Sequence, residues 1–212
     1  MASSSSIPCP PRGIYVPAVA FFHPDETIDF DAIRAHLTRL AEGGVDGLVI
    51  QGSNGEAMHM LHDERQQVLR LARELTCGNM GKLQRVAHDP RIGRPFAAFA
   101  GKTDFFLHGL VGGSHGVIAA TANLLPKAHA HMLRLYDEGR LKEAQELQTR
   151  FSRADWALVQ LGIAGIKAAL QKYYGYGGGR SRRPLSSAVD AKKLDGEVDA
   201  AVGGLVELEN SL

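Results

Sequence analysis

The sequence predicts an α/β protein, with a parallel sheet of about four strands wrapped by helices and a helical C-terminal part. Three observations predict it. Two nearly continuous apolar runs, 13–22 and 45–50, have the pattern of strands buried on both faces. Each is followed by a helix-period segment at the spacing of a βα unit. From residue 125 onward helical periodicity takes over, with Leu141, Ala144, Leu147, Phe151, Ala154, Leu158 and Leu161 on one apolar stripe.

In chain order, residues 1–12 read as a Ser- and Pro-rich flexible leader ending in Pro10-Pro11. The first strand spans 13–22. Asp29 is a suitable N-cap for a helix carrying Ile33, Leu37 and Leu40, which Gly43-Gly44 end. The second strand, 45–50, runs into the Gly-rich turn 52–56, and a helix over 63–74 presents Val68, Leu71 and Ala72 on one face. Past a polar break at His88-Asp89-Pro90, segments 96–101 and 116–121 read as short strands. Helices are expected over 125–138, 141–161 and 166–174. The Gly-rich stretch Gly175–Gly179, with Arg180, Arg182, Arg183 and Pro184, reads as a flexible linker, and 189–210 as a weaker last helix.

Composition narrows the function. A chain of 212 residues holds one domain, two at most. With 44% hydrophobic and 22% charged residues it has the make-up of a globular protein, which excludes a disordered tail protein. Twenty-four basic against 23 acidic residues, a net charge of +1, offer nucleic acid or an anionic membrane no electrostatic handle. No apolar run reaches the roughly 18 residues that span a bilayer. Cys9 and Cys77 are too few for a disulfide scaffold and suit a reducing compartment. The start has neither a basic n-region nor an apolar h-region, so the expected location is the cytoplasm.

Six segments resemble the dihydrodipicolinate synthase / N-acetylneuraminate lyase family of class I aldolases: GIYVPAVAFF, VDGLVIQGSNGEA, LTCGNMGKL, FAAFAGKTDFFLHGL, GVIAATANLLPKA and ADWALVQLGIAGIKAALQ. The likeness is nearest to its fungal members and the 4-hydroxy-2-oxoglutarate aldolase branch. The resemblance implies a (β/α)8 TIM barrel with extra C-terminal helices. It also implies a 2-oxo acid such as pyruvate held as a Schiff base on a lysine, and no metal or organic cofactor. Residues 13–74 resemble the family's first two βα units, whereas Leu75 onward resembles the loop after its sixth strand. A complete barrel takes about 250 residues. The expected fold is therefore an incomplete barrel, with strands resembling the family's strands 1, 2, 7 and 8 within 13–124. A helical part over 125–179 and a tail over 180–212 with a final helix complete the domain plan.

The resemblance also says what is missing. In the family the Schiff-base lysine closes strand six, immediately before the segment that here begins at Leu75. Glu74 stands there instead, and a carboxylate cannot form an imine. The family's catalytic tyrosine lies on a strand without counterpart here. No catalytic residue is assigned.

The loop Gly52-Ser53-Asn54-Gly55-Glu56 resembles the family's carboxylate-binding Gly-Thr-Thr-Gly-Glu. Glycines after a strand let backbone N–H groups converge on an anion, while Ser53 and Asn54 add side-chain donors. Gly52, Ser53, Asn54 and Gly55 are the expected substrate-binding residues, although an ordinary βα turn carries similar glycines. Lys102 follows a strand end but reads as a solvated loop lysine, with the remaining lysines less suited still. His59 and His62 sit three apart, and His129 and His131 two apart, without the third ligand of a metal site. Cys77 lacks a companion His. The glycines of 112–116 precede a strand rather than a helix, the wrong order for a dinucleotide. The group Arg180, Arg182 and Arg183 reads as a solvated linker.

A contiguous half-barrel would leave two open sheet edges, so a homo-oligomer or association with a full-length relative is expected. Three readings follow: an active lyase on a 2-oxo acid, a non-catalytic homologue that binds a partner, or a truncated gene product.

Overall fold

The computed structural model describes residues 11–75, 99–112, 114–185 and 188–212. Most of the leader and the segment 76–98, with Cys77 and most of the strand expected at 96–101, lie outside the described residues.

Strands β1 (Gly13–Pro17), β2 (Gly47–Val49) and β3 (Gly116–Ile118) form a parallel sheet in the order β2-β1-β3. Val16 lies opposite Leu48, and Ile14 opposite Val117. On the far side of β3, Ala100 makes a parallel bridge to Val117. Its N–H donates to Gly116 O at 2.9 Å, and Ile118 N–H donates to Ala100 O at 2.8 Å. The spatial order is thus β2, β1, β3, Ala100. Gly116 has a φ of +151°, and a Cβ there would stand 1.8 Å from Gly13 O, so β1 and β3 meet only because this residue has no side chain.

All three strands are shorter than the sequence suggests, because side chains take over the ladder at the ends of β1 and β2 and a turn cuts β3 short. The Asp46 carboxylate accepts the Ile14 N–H at 2.7 Å, just before β2 begins. Beyond β1, the Val19 N–H turns to the Asn123 side chain at 3.1 Å. The chain leaving β3 winds into a 3₁₀ turn at Ala120–Asn123 rather than staying extended to 121.

Helix α1 (Phe30–Glu42) is capped as expected. Asp29 Oδ1 accepts the Ala32 N–H at 2.9 Å, and the Gly43 N–H closes the far end on Arg39 O. Its buried residues Ala32, Ile33, Leu37 and Leu40 join Val68, Leu71 and Ala72 of α2 (His62–Leu75) in the core. After α3 (Phe106–Val111), the C-terminal part consists of α4 (Pro126–Asp137), α5 (Leu141–Val159), α6 (Gly162–Tyr174) and α7 (Glu197–Ser211). The α5 stripe is buried at Ala144, Leu147, Phe151, Ala154 and Leu158, whereas Leu141 at its first turn is exposed. Each buried Leu or Phe is worth roughly 1.5–3 kcal/mol. Helix α7 reaches back to α4, where Glu209 accepts the N–H groups of Lys127 and Ala128 at 3.1 and 2.8 Å. That carboxylate caps a helix whose Leu125 supplies no side-chain cap.

Candidate functional site

The loop after β2 lies at the C-terminal end of the parallel strands, where (β/α) proteins assemble their sites. Two residues in left-handed conformation bracket it, Gln51 at φ +65° and Glu56 at φ +53°. Such a conformation costs a non-glycine residue roughly 1–2 kcal/mol and persists only where its surroundings hold it. Both residues are held. The Gln51 side-chain amide donates to Arg65 O, and the Glu56 carboxylate is fully buried among donors. Inside the loop Gly55 N–H donates to Gly52 O at 3.1 Å and Glu56 N–H to Ser53 O at 3.0 Å. The N–H groups of Ser53 and Asn54 are not spent on backbone acceptors within the turn. A Cβ on Gly55 would stand 3.1 Å from Ala18 O and 3.2 Å from the Gln51 backbone, a tight fit that favours glycine. Gly52, Ser53, Asn54 and Gly55 therefore form one compact turn, with Ser53 exposed at its tip.

Glu56 is bound from two other elements. Its Oε1 accepts from Lys167 Nζ of α6 at 2.7 Å, and its Oε2 from the Arg182 N–H at 2.8 Å. The Lys167 ammonium also donates to Arg180 O at 2.7 Å and lies 5.1 Å from the Phe22 ring centroid. Neither Lys167 nor Glu56 exposes its side chain to solvent. Burial pushes the Lys167 amine below the ordinary lysine range, and the Glu56 charge works against that push. His59 Nδ1 stands 3.8 Å from Glu56 Oε2, buried and without a hydrogen-bond partner.

Of the basic group at 180–183, Arg180 and Arg183 are exposed, as a solvated linker would have them, whereas Arg182 is not. Arg182 forks onto the Glu64 carboxylate of α2 at 2.7 and 3.0 Å, holding that carboxyl below its ordinary range, and packs over Phe22. Arg183 pairs with Glu26. Gly177, at φ +73°, lets the segment cross against Phe21, whose ring would be 2.2 Å from a Cβ at that position. Aromatic and carboxylate partners far away in sequence thus tie this stretch to Glu56 and α2.

A second polar network ties the strand ends together. Asn123 Nδ2 donates to Pro17 O and Ala120 O at 3.0 and 2.8 Å, so its Oδ1 must accept, from Val19 N–H and from His36 Nε2 at 2.8 Å. This assigns the His36 proton to Nε2 and makes Nδ1 the acceptor for the Tyr176 hydroxyl at 2.8 Å. Complete burial drives the His36 pKa down to about 3. Beside it Arg39 stacks over Tyr174 at 3.6 Å and donates to Asn123 O at 2.8 Å.

The other residues singled out from the sequence scatter. Lys102 is exposed in the loop after Ala100. His59 ends a 3₁₀ turn while His62 begins α2, so the two do not share a helix face. His129 is buried between the rings of Phe106 and Phe151, bonded to Thr103 Oγ1 at 2.9 Å, and only His131 of that pair reaches solvent. Among the described residues no three His, Cys, Asp or Glu side chains are grouped to hold a metal. A surface cavity of about 470 Å³ lies between Phe22–Pro24 and Gly177–Arg180, beside the network rather than over the 52–55 turn.

Residues 10–86 and 75–201 match the dihydrodipicolinate synthetase family, two stretches that meet over 75–86. The chain belongs to that family. It is 30% identical to an L-threo-3-deoxy-hexylosonate aldolase of Hypocrea jecorina over 317 aligned positions, covering 98% of this chain and 99% of the relative. A relative from Emericella nidulans, named as a probable mitochondrial 4-hydroxy-2-oxoglutarate aldolase, is 29% identical over 305 positions, covering 94% and 96%. A chain of 212 residues cannot fill 317 aligned positions, so about a third of the alignment with the Hypocrea protein faces a gap. Among solved structures, a dihydrodipicolinate synthase family protein from Coccidioides immitis superposes with a TM-score of 0.77 at 23% identity, over 96% of this chain and 98% of that one. A variant of the Sulfolobus solfataricus 2-keto-3-deoxygluconate aldolase gives 0.78 at 17% identity, over 93% and 98%. These likenesses share the α/β fold of the family's aldolases. No helix among the described residues is long and apolar enough to cross a membrane.

Sequence reasoning quoted Glu56 as the end of its loop without giving it a role, and it missed Lys167 altogether. A signal existed: Lys167 is the single charged residue in the apolar stretch IAGIKAAL, and a lysine carried into a core is rarely left unpaired.

Proposed function

We propose that this chain is a Schiff-base aldolase by descent, of the kind that acts on 2-oxo acids such as pyruvate or 4-hydroxy-2-oxoglutarate. On this reading it keeps a carboxylate-binding turn and lacks the amine that would form the imine. The observation that carries the reading is the junction at residues 74 and 75. The family's lysine closes a strand immediately before the segment resembled from Leu75 onward, whereas here α2 runs without a break through His62–Leu75. The gap of about a third in the alignment with the Hypocrea aldolase supports the same reading. So does the order β2, β1, β3, Ala100, which suits strands 2, 1, 8 and 7 of a ring from which 3 to 6 are missing.

The chemistry then stops at binding. An aldol cleavage through an imine needs a free amine that attacks the 2-oxo carbon, and water leaves as the C=N bond forms. Lys102 is exposed rather than enclosed in an apolar pocket. Lys167 has the burial, but Glu56 and Arg180 O engage its protons and close it off. The turn at Gly52, Ser53, Asn54 and Gly55 offers two N–H groups that bond to no backbone acceptor among the described residues, with a hydroxyl and an amide beside them, a set of donors suited to a carboxylate. No cofactor enters this scheme.

Pyruvate titration followed through the amide resonances of Ser53 and Asn54, together with an aldol-cleavage assay, tests the proposal. Saturable shifts confined to the turn with no cleavage are expected. Cleavage of a 2-oxo-4-hydroxy acid by the purified chain would overturn it.

The sheet favours a second reading, in which the chain is a non-catalytic homologue completed by a copy of itself or by a full-length relative. The outer edge of β2 pairs with no described strand, and such edges recruit other chains. A truncated gene product remains the third reading, and a transcript carrying the missing block would establish it. With only two cysteines the chain suits the cytoplasm, which cell fractionation tests.

A further inference from the structure

We propose that Glu56 and Lys167 are positioning residues for the carboxylate-binding turn, which makes helix α6 a working part of the site. The proposal rests on the reading of Gly52–Gly55 as that turn, and names what aims its donors.

The argument starts from the backbone. The turn leaves β2 and ends through residues that both hold a left-handed conformation without being glycine, Gln51 and Glu56. Nothing inside the turn favours this, since its two internal hydrogen bonds, Gly55 N–H to Gly52 O and Glu56 N–H to Ser53 O, would form in an ordinary turn as well. What distinguishes the two ends is that each side chain is tethered elsewhere. Glu56 is the stronger tether, because its carboxylate gathers Lys167 Nζ of α6 on one oxygen and the Arg182 N–H on the other. Arg182 in turn forks onto Glu64 of α2. One buried carboxylate therefore fixes the exit of the turn against two separate parts of the chain, α6 and the 180–182 segment, the second of which is tied on to α2. If that tether is cut, the exit residue loses the reason for its conformation, and the N–H groups of Ser53 and Asn54 lose their common direction.

A buried ion pair is a costly way to stabilise a fold, because both ions are taken out of water. Its use here, at the end of that turn, fits a positioning role better than a stabilising one. Lys167 is held away from solvent, so it acts through Glu56 and touches no ligand.

Two readouts on the intact chain test this: pyruvate affinity by amide shifts, and hydrogen exchange of the Gly55 and Glu56 amides without pyruvate. Lys167→Met keeps the length of the side chain and removes the ammonium. It is expected to weaken pyruvate about tenfold and to speed exchange at the two amides by a similar factor, with β1 amides unchanged. Glu56→Gln, which keeps one acceptor oxygen but turns an N–H2 group toward the other donor, is expected to fall between, about threefold on each readout. If Lys167→Met does not fold, the threefold change in Glu56→Gln decides alone. Folded variants with wild-type affinity and wild-type exchange at both amides would overturn the proposal, leaving the pair a purely structural one. If wild-type protein binds no pyruvate while Lys167→Met still speeds exchange at the two amides, the carboxylate reading falls and the tether stands.

Discussion

The Lys167 ammonium and the Glu56 carboxylate meet at 2.7 Å, 111 residues apart in sequence, with neither side chain exposed. Removing one partner leaves the other charged in a medium that cannot solvate it, at a cost of about 3–5 kcal/mol. Lys167→Met should therefore lower the stability read from urea unfolding by about that amount. The pair Lys167→Met with Glu56→Gln should lose clearly less than the two single variants added together, because no unpaired ion is left. Additive losses would show that the two residues do not depend on each other.

Acid should destabilise the protein well above the pH at which carboxylates protonate. His36 and His129 are neutral and buried, with pKa values driven down to about 3 and about 4, mainly by burial. In the unfolded chain both titrate near 6.5. Between pH 6.5 and 4 the unfolded state thus binds more protons, so stability is full above 6.5 and falls as pH drops. The slope from each group approaches about 1.4 kcal/mol per pH unit. Glu209 and Asp155, pushed up by burial, act in the opposite sense and soften the fall. Unfolding midpoints of wild type and His129→Phe across this range check the point: the variant should show the shallower dependence.

Much of this architecture is legible in the sequence because it rests on local rules. Asp29 caps α1, Gly43 ends it, and the α5 stripe buries Phe151 and Leu158 as the periodicity requires. The strand ends are not legible in this way. They are set by Asp46, Asn123 and their partners tens of residues away, and no local pattern marks a side chain that replaces a ladder bond. The same holds for the site. The 52–55 turn announces itself through its glycines, while Lys167 and Arg182 reach Glu56 only through packing of the C-terminal part against α2 and β1. Charge alone therefore misread Arg182 as solvated.

Arg182 and Glu64 form a forked pair only partly shielded from water, with side chains 16% and 20% exposed. Shielding of that kind limits the worth of the pair to about 1 kcal/mol. Arg182→Ala should lose about this much in thermal or urea unfolding, and Arg182→Lys nearly as much, since an ammonium cannot hold both carboxylate oxygens. The loss should shrink in high salt.

Phe151 packs its ring 4.5 Å from the His129 ring at the centre of the C-terminal helices and is fully buried. Phe151→Ala should cost about 3–5 kcal/mol. Trp156, five residues on, is 64% exposed, and it is the only tryptophan. Its fluorescence should be solvent-like and readily quenched by acrylamide, and Trp156→Ala should leave stability within about 0.5 kcal/mol. A strongly blue-shifted, protected tryptophan would show that this face is covered in solution.

The function proposed above has the chain hold a 2-oxo acid without bonding to it. Intact mass after incubation with pyruvate and borohydride tests this most directly, because reduction locks any imine onto its lysine. With a full-length relative trapped alongside as control, the account predicts an unchanged mass for the folded chain. A single pyruvate adduct mapped to one lysine, Lys102 or Lys167, would contradict it and restore the chain to the working aldolases.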